Sequence, residues 1–279
     1  MYAVRHSSSL VVIEPNKSWF DLKLRSFWDY RELLYFLAWR DLKARYSQTV
    51  MGLAWAVVQP LFMMLVFTVV FSKIAQLPSD GIPYPLFAYA ALVPWTYFSK
   101  SLDRGGFSVV AESNLITKIY FPRLIIPLSA TLGGLLDFAI AFLLLIAMML
   151  WFGVLPTWKL ATVPLFLALT VLASLSVSLW LSALFVKYRD VAALIPLLTQ
   201  VWMFGSPVAY SASMVPQEWQ AFYNLNPMVG VIGGFRWALL GTPAPDPVFL
   251  AVNIVTISVA LLLGMAYFNR MANTFADVI

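Results

Sequence analysis

Six apolar stretches of roughly membrane-spanning length occupy most of this chain, and they restrict its fold more than any other feature. About 20 apolar residues in a helix cross the roughly 30 Å hydrocarbon layer of a bilayer. The stretches fall at 52–72, 85–102, 124–154, 160–186, 191–210 and 248–268. Inside hydrocarbon only helices and closed barrels satisfy their own backbone groups, and segments this long read as helices. Composition agrees. Hydrophobic residues make up 61% of the chain and charged residues 11%, where a soluble domain carries roughly 25% charged. The expected fold is therefore all-α and integral to the membrane, with six transmembrane helices. The second stretch is short and runs into Lys100, Asp103 and Arg104, and the third is too long for one straight crossing. Pro127 is its expected break, leaving 132–153 as the core of that span.

Two segments do not fit the simple pattern. Residues 216–241 are apolar but interrupted by Asn224, Asn226, Pro227 and Gly230, and they carry Arg236. Broken backbone at membrane depth persists only where protein or water covers it. Two half-helices that enter and return fit this segment better than a full span. Ahead of the first span, residues 28–46 read as a helix, with Ser26 and Asp29 at capping-box spacing. Trp28, Tyr35, Trp39, Leu42 and Tyr46 recur on one face, and Arg31, Arg40, Lys43 and Arg45 lie elsewhere. Such a helix lies in the membrane interface. The alternative, a helix of a small cytoplasmic domain, has too little sequence before it to build a core. The division expected is thus 1–46 as tail and interface helix and 47–279 as membrane domain. No secretory signal pattern is expected to open the chain, because its first long apolar run is the first span.

Orientation follows from the basic residues. Fifteen of the 18 lysines and arginines fall before the first span, between the second and third, after the fourth, or after the sixth. Lys73, Lys159 and Arg236 are the exceptions. Short loops rich in Lys and Arg stay cytoplasmic, which places both termini inside. The net charge of +5 is matched by anionic membrane lipids, and no basic-aromatic pattern of a nucleic-acid module is present.

Catalytic signatures are missing. The chain has no cysteine and one histidine, His6, in a polar tail. It contains no phosphate-binding loop, no paired-histidine zinc motif and no nucleophile elbow. ATP-driven work would need a separate chain. Asp137 sits within the third span, where a carboxylate is costly. A proton relay would need further titratable groups in the spans, so a hydrogen-bonded or protonated structural aspartate fits better. Ser174, Ser178 and Ser182 recur every four residues, as do Gly230 and Gly234. Both patterns suit close helix packing. Tyr84, Tyr89, Trp95, Tyr97 and Phe98 crowd the second span, and Trp219, Phe222, Tyr223 and Trp237 crowd the re-entrant segment. Much of this reads as an interfacial belt, with some rings available to stack on sugars.

Several motifs occur in a fixed order. Trp39-Arg-Asp-Leu-Lys-Ala-Arg-Tyr46 precedes Gly52-Leu-Ala-Trp55 and Gln59-Pro60. Then come Asn114-Leu-Ile-Thr-Lys118, Phe121-Pro-Arg123 and Lys187-Tyr-Arg-Asp190. Ser206-Pro-Val-Ala-Tyr210, Asn226-Pro227, Gly234-Phe-Arg-Trp-Ala-Leu-Leu-Gly241 and Phe275-Ala-Asp-Val-Ile279 complete the set. The ordered set resembles the permease subunits of ABC-2-type exporters of bacterial polysaccharides such as O-antigen, capsule or teichoic acid. That resemblance implies a homodimer of six-span protomers joined to two copies of an ABC ATPase, which would hold the ATP and magnesium. No cofactor is expected in this chain. The substrate implied is a lipid-linked polysaccharide crossing the inner membrane. The resemblance places a coupling helix near 104–118, with Arg104, Glu112, Ser113, Asn114, Leu115 and Lys118 as ATPase contacts. A smaller contact at Lys187, Arg189 and Asp190 accompanies it, and Arg40 and Arg45 belong to the same surface. Trp55, Tyr97, Trp202, Phe204 and Tyr210 are the candidate substrate path. Trp219, Phe222, Tyr223 and Arg236 form the candidate outer gate. An exporter of drugs or small lipids on the same fold is the nearest alternative. A membrane-embedded glycan-modifying enzyme is disfavoured by the lack of clustered acids.

Overall fold

The computed structural model describes residues 28–47, 54–272 and 274–275. The capping pair at Ser26, the start of the first span at Gly52, and His6 lie outside these residues. The described residues are mostly helical, with no strand among them. The helices are α1 (Arg31–Ser47), α2 (Ala54–Phe67), α3 (Tyr84–Ala111), α4 (Ser113–Lys118), α5 (Ile125–Leu132) and α6 (Leu135–Trp151). They continue with α7 (Val163–Lys187), α8 (Val191–Phe204), α9 (Gln217–Tyr223), α10 (Pro227–Leu240) and α11 (Pro247–Ala272).

Among the described residues four helical segments are long and apolar enough to cross a membrane: Ala54–Ile74, Ile125–Trp151, Trp158–Lys187 and Pro247–Ala272. The first of these ends in a π-helical stretch, Thr68–Ile74. α3 has 28 residues, about 42 Å at 1.5 Å per residue, but its second half carries Lys100, Asp103 and Arg104. α8 and α10 have 14 residues each, about 21 Å, which is shorter than the hydrocarbon layer. The protein is an all-α membrane protein.

Three expected span ends move. The second stretch does not stop at residue 102, because α3 continues as helix to Ala111. Arg104 therefore belongs to the long helix, and only α4 remains as a separate short element beyond Glu112. The third stretch breaks at Gly133–Gly134 rather than at Pro127. Pro127 is the third residue of α5, where the backbone N–H has no intrahelical partner to lose. At Gly134 an added Cβ would stand 3.1 Å from the Tyr97 ring and 3.3 Å from the Arg104 guanidinium, so the break sits where α3 lies close against the chain. The fifth stretch ends as helix at Phe204, not Tyr210, because Gly205 and Pro207 turn the chain. Residues 216–241 divide into two short helices, α9 and α10. Asn226 caps α10 by accepting from the Met228 amide at 3.0 Å, and Gly241, at φ 73°, ends it in the left-handed conformation.

α3 is the axis of the molecule. It packs against α2, α5, α6, α7, α8 and α10. Tyr84, Tyr89, Trp95, Tyr97 and Phe98 are all buried in it, so the aromatic crowd of the second span is core, not an interfacial belt. The serine stripe of α7 is also packing. Ser174, Ser178 and Ser182 are fully buried, and Ser178 Oγ donates to the Ser101 carbonyl across the α3–α7 contact at 3.1 Å.

The small residues of α10 are equally tight. A Cβ on Gly234 would fall onto the Phe166 ring. That ring is held between Phe235 and Trp237 and cannot withdraw. Gly234→Ala is expected to lower stability by about 1–3 kcal/mol through overpacking, seen as a reduced unfolding midpoint of detergent-purified protein. Gly233→Ala, whose Cβ would meet only Pro245 Cγ at 3.7 Å, should leave the midpoint unchanged or slightly raised.

Candidate coupling and translocation surfaces

Phe107 packs edge-on against Phe185 at 4.9 Å, and Ser178 reaches Ser101. α3 and α7 therefore run parallel and finish at the same end. This brings Glu112–Lys118 and Lys187–Asp190 together at one pole, although about 70 residues separate them. α1 lies at the same pole, where Leu37 joins a buried cluster with Val109, Ile126, Val186 and Phe275. Asn114, Lys118, Lys187, Arg189 and Asp190 are exposed there, and Ser113 and Leu115 are half-buried. Lys187 stands over the Tyr188 ring at 5.1 Å and Arg189 over Phe185 at 5.7 Å.

Other charged residues of that pole face one another. Arg40 forms an ion pair with Glu112, its Nη1 lying 3.2 Å from Oε2, and another with Asp41 at 2.9 Å. The hydrogen bond that Arg40 donates to Glu112 outweighs the opposing effect of burial and raises the Arg40 pKa above its usual range, so Arg40 stays cationic at any working pH. Arg45 and Arg104 both bond to Asp137 Oδ2, at 2.9 and 2.6 Å, and Tyr46 donates to its other oxygen. The intramembrane carboxylate is thus the centre of an ionic lock between α1, α3 and α6. Beside it, a cavity of about 290 Å³ lined by Arg40, Arg45, Arg104 and Glu112 separates α1 from α3 and α5. On this side charge pairs hold α1 alongside the packing of Leu37 against Val109 and Ile126.

The opposite face of α1 presents Trp28, Tyr35, Phe36 and Trp39 outward. Tyr35 and Trp39 stack at 6.4 Å, and Arg31 sits over Trp28 at 5.3 Å. Tyr46, expected on this aromatic face, turns inward to Asp137 instead. An outward aromatic face with basic neighbours suits the interfacial region of a membrane.

At the other pole the re-entrant half-helices are tied to α8 and α3. Asn226 accepts from Trp202 Nε1 at 2.8 Å and donates to the Gly205 carbonyl and Ser206 Oγ, both at 2.9 Å. Arg236 is only 4% exposed. It donates to the carbonyls of Phe87 (3.3 Å), Tyr210 (3.2 Å) and Val208 (3.0 Å) and stacks 3.4 Å from the Phe87 ring centre. Expected at a gate surface, it is an internal brace for the turn after α8. Trp219 and Phe222 are exposed, and Tyr223 is half-buried 6.5 Å from Tyr210. Asn253 escapes a reading by motif. It is buried in α11, accepts from the Gly230 amide at 2.7 Å and donates to the Asn224 carbonyl. A lone amide in an apolar span was its only signal.

The candidate path residues separate. Trp55 and Phe204 are exposed, Trp202 and Tyr210 are half-buried. Tyr97 is 3% exposed, donates to the Thr131 carbonyl at 3.0 Å and packs on Phe138. Its place is the core rather than a path, because α6 closes over it.

These features define a multi-pass α-helical membrane protein with a charged pole clear of its apolar belt and a braced re-entrant wall opposite. A sequence profile described as ABC-2 type transporter matches residues 32–240, three quarters of the chain, and the protein belongs to that family. It is 29% identical to an O-antigen export system permease protein RfbA of Myxococcus xanthus over 260 residues, covering 92% of this chain and 98% of the relative. A protein of the same name from Klebsiella pneumoniae is 27% identical, over 89% of this chain and 95% of the relative. The polysialic acid transport protein KpsM of Escherichia coli is 21% identical, over 82% and 90%.

Proposed function

We propose that this chain is the permease subunit of an ATP-driven exporter that moves lipid-linked polysaccharide, O-antigen foremost, across the bacterial inner membrane. The observation that carries this reading is similarity along nearly the whole length to two O-antigen export permeases. The chain is a transport subunit and not an enzyme. ATP and magnesium belong to a partner ABC ATPase, present in two copies.

The geometry supports a division of labour. The pole formed by α4 and the Lys187–Asp190 turn offers exposed polar groups to the ATPase, and lies on the cytoplasmic side together with both termini. Six crossings follow if α3 and α8 each complete one. A second copy of the chain supplies the other half of the route. Trp55 and Phe62 of α2, and Leu194, Leu197, Val201 and Phe204 of α8, are exposed apolar groups that lipid or this second copy covers. A polar glycan cannot enter hydrocarbon, and a path between protomers walled by Trp55, Trp202, Phe204 and Tyr210 gives it protein surface throughout. Aromatic faces hold sugar rings by broad contact that permits sliding. Trp219, Phe222 and Tyr223 wall its exit.

Deleting the gene and profiling surface and cytoplasmic glycans tests the reading. Loss of a surface polymer with accumulation of its lipid-linked form inside is expected. Unchanged glycan on both sides would replace this reading with export of a small lipid or drug. Within the complex, Arg40→Glu is expected to reduce substrate-dependent ATP hydrolysis at least fivefold, since only a contact that differs between states can transmit work. Adding Glu112→Arg should restore most of it. Equal activity of the single variant and the parent would remove the Arg40–Glu112 pair from coupling.

A further inference from the structure

A second, partly open pocket lies at the pole of α9 and α10, about 430 Å³ in volume, within the range of small-ligand pockets. Its walls are the turn after α8, the two half-helices, the loop before α11 and the first turn of α11. The groups it presents are two carboxylates, Asp80 and Asp246, with the amide of Gln220 and the ring of Tyr223. Each carboxylate has one oxygen engaged. Asp80 accepts from Ser211 Oγ at 2.8 Å, and Asp246 caps α11 by accepting from the Val248 amide at 2.8 Å. The second oxygens have no partner among the described residues. The only cation among the described wall residues, Arg236, is buried behind it with N–H groups on three backbone carbonyls, and its charge also acts on Asp80. The exposed charge is therefore negative.

We propose that this cavity binds one or two units of an uncharged glycan and that its two carboxylates reject acidic sugars. The proposal rests on the export reading above and narrows its substrate class. Sugar hydroxyls donate well to carboxylates, and proline, alanine and tyrosine surfaces suit the apolar faces of sugar rings. A sugar carboxylate placed within several ångströms of Asp80 or Asp246 meets like charge, which makes its binding at least about tenfold weaker.

Gly233 opens onto the cavity, and its added Cβ would meet only Pro245 Cγ at 3.7 Å. Gly233→Phe therefore fills the space from within a helix. Asp80→Asn with Asp246→Asn removes both charges but keeps the Ser211 acceptor and the helix cap, and Asn tolerates the positive φ of 53° at residue 80.

The test uses saturation-transfer NMR on the full chain in lipid nanodiscs. The probes are the uncharged trisaccharides chitotriose, maltotriose and mannotriose, and the acidic trimer of sialic acid. At least one uncharged probe should bind the parent, lose at least about tenfold in affinity in Gly233→Phe, and bind the double asparagine variant nearly unchanged. The sialic acid trimer should bind only the double variant. Failure of all three uncharged probes, binding that survives Gly233→Phe, or equal binding of the acidic trimer to the parent would overturn the proposal. If Gly233→Phe does not accumulate, Gln220→Ala replaces it, and an unaltered affinity there counts equally against the site. Complementation of the deletion strain judges the two readings separately. A parent gene that restores no surface glycan defeats the export reading, whereas full restoration by Gly233→Phe defeats only the cavity.

Discussion

Arg236→Leu is expected to destabilise the protein by about 3–5 kcal/mol, the largest effect of any single change away from the charged pole. The guanidinium holds the carbonyls of Val208 and Tyr210 in the turn after α8 and that of Phe87 in the first turn of α3. Each of the two turn carbonyls left without a donor costs about 1–3 kcal/mol, whereas the Phe87 carbonyl keeps its helical partner. Removing a buried cation offsets part of the sum. Arg236→Lys can refill no more than one or two of the three positions, since an ammonium lacks the planar fork, and should fall midway. Thermal unfolding of the detergent-purified chain measures both. A leucine variant within about 1 kcal/mol of the parent would mean that water replaces the guanidinium and that the turn is not braced.

Asp137→Ala is expected to cost about 2–4 kcal/mol and to free α1 from the membrane domain. It removes the carboxylate that Arg45 and Arg104 share, and a partly buried charge that loses its counter-charge is worse than a missing pair. Because Arg45 and Tyr46 both belong to α1, the loosening is local. Trypsin should cut after Arg40, Lys43 or Arg45 several-fold faster in inside-out vesicles carrying the variant. Asp137→Ala with Arg104→Met should recover part of the stability, the sign of coupling between neighbours. Equal cleavage rates in variant and parent would show that apolar contacts through Leu37 hold α1 without the lock.

Much of the architecture could be read in advance because hydrocarbon imposes a length rule on apolar runs. The first, third, fourth and sixth stretches appear as long apolar helices. Where the reading missed, local signals competed with tertiary ones. Pro127 looked like a breaker but stood in a first helical turn, where its missing N–H does no harm. Lys100, Asp103 and Arg104 looked like the end of a span, yet Arg104 finds its counter-charge on α6 and the helix continues. Tyr97 looked like a path residue because aromatics at an interface and aromatics in a core have the same sequence. Arg236 looked like a gate residue because nothing local announces three carbonyls waiting for a guanidinium.

The division has one physical cause. Membrane helices form from short-range backbone bonds and the transfer of contiguous apolar residues, so the sequence by itself determined an all-α membrane protein, the pair of short helices between its fifth and sixth stretches, and the lack of known catalytic motifs. The family followed from ordered motifs for the same reason, since they lie along the chain. Only the tertiary structure decided which charges meet. The pairing of Arg40 with Glu112 spans 72 residues, and the pairing of Arg45 with Asp137 spans 92. Such contacts depend on how parallel α3 and α7 bring distant loops to one pole. The cavity beside Asp80 and Asp246 is likewise a product of packing, because its walls come from separate elements that touch only when the helices are assembled.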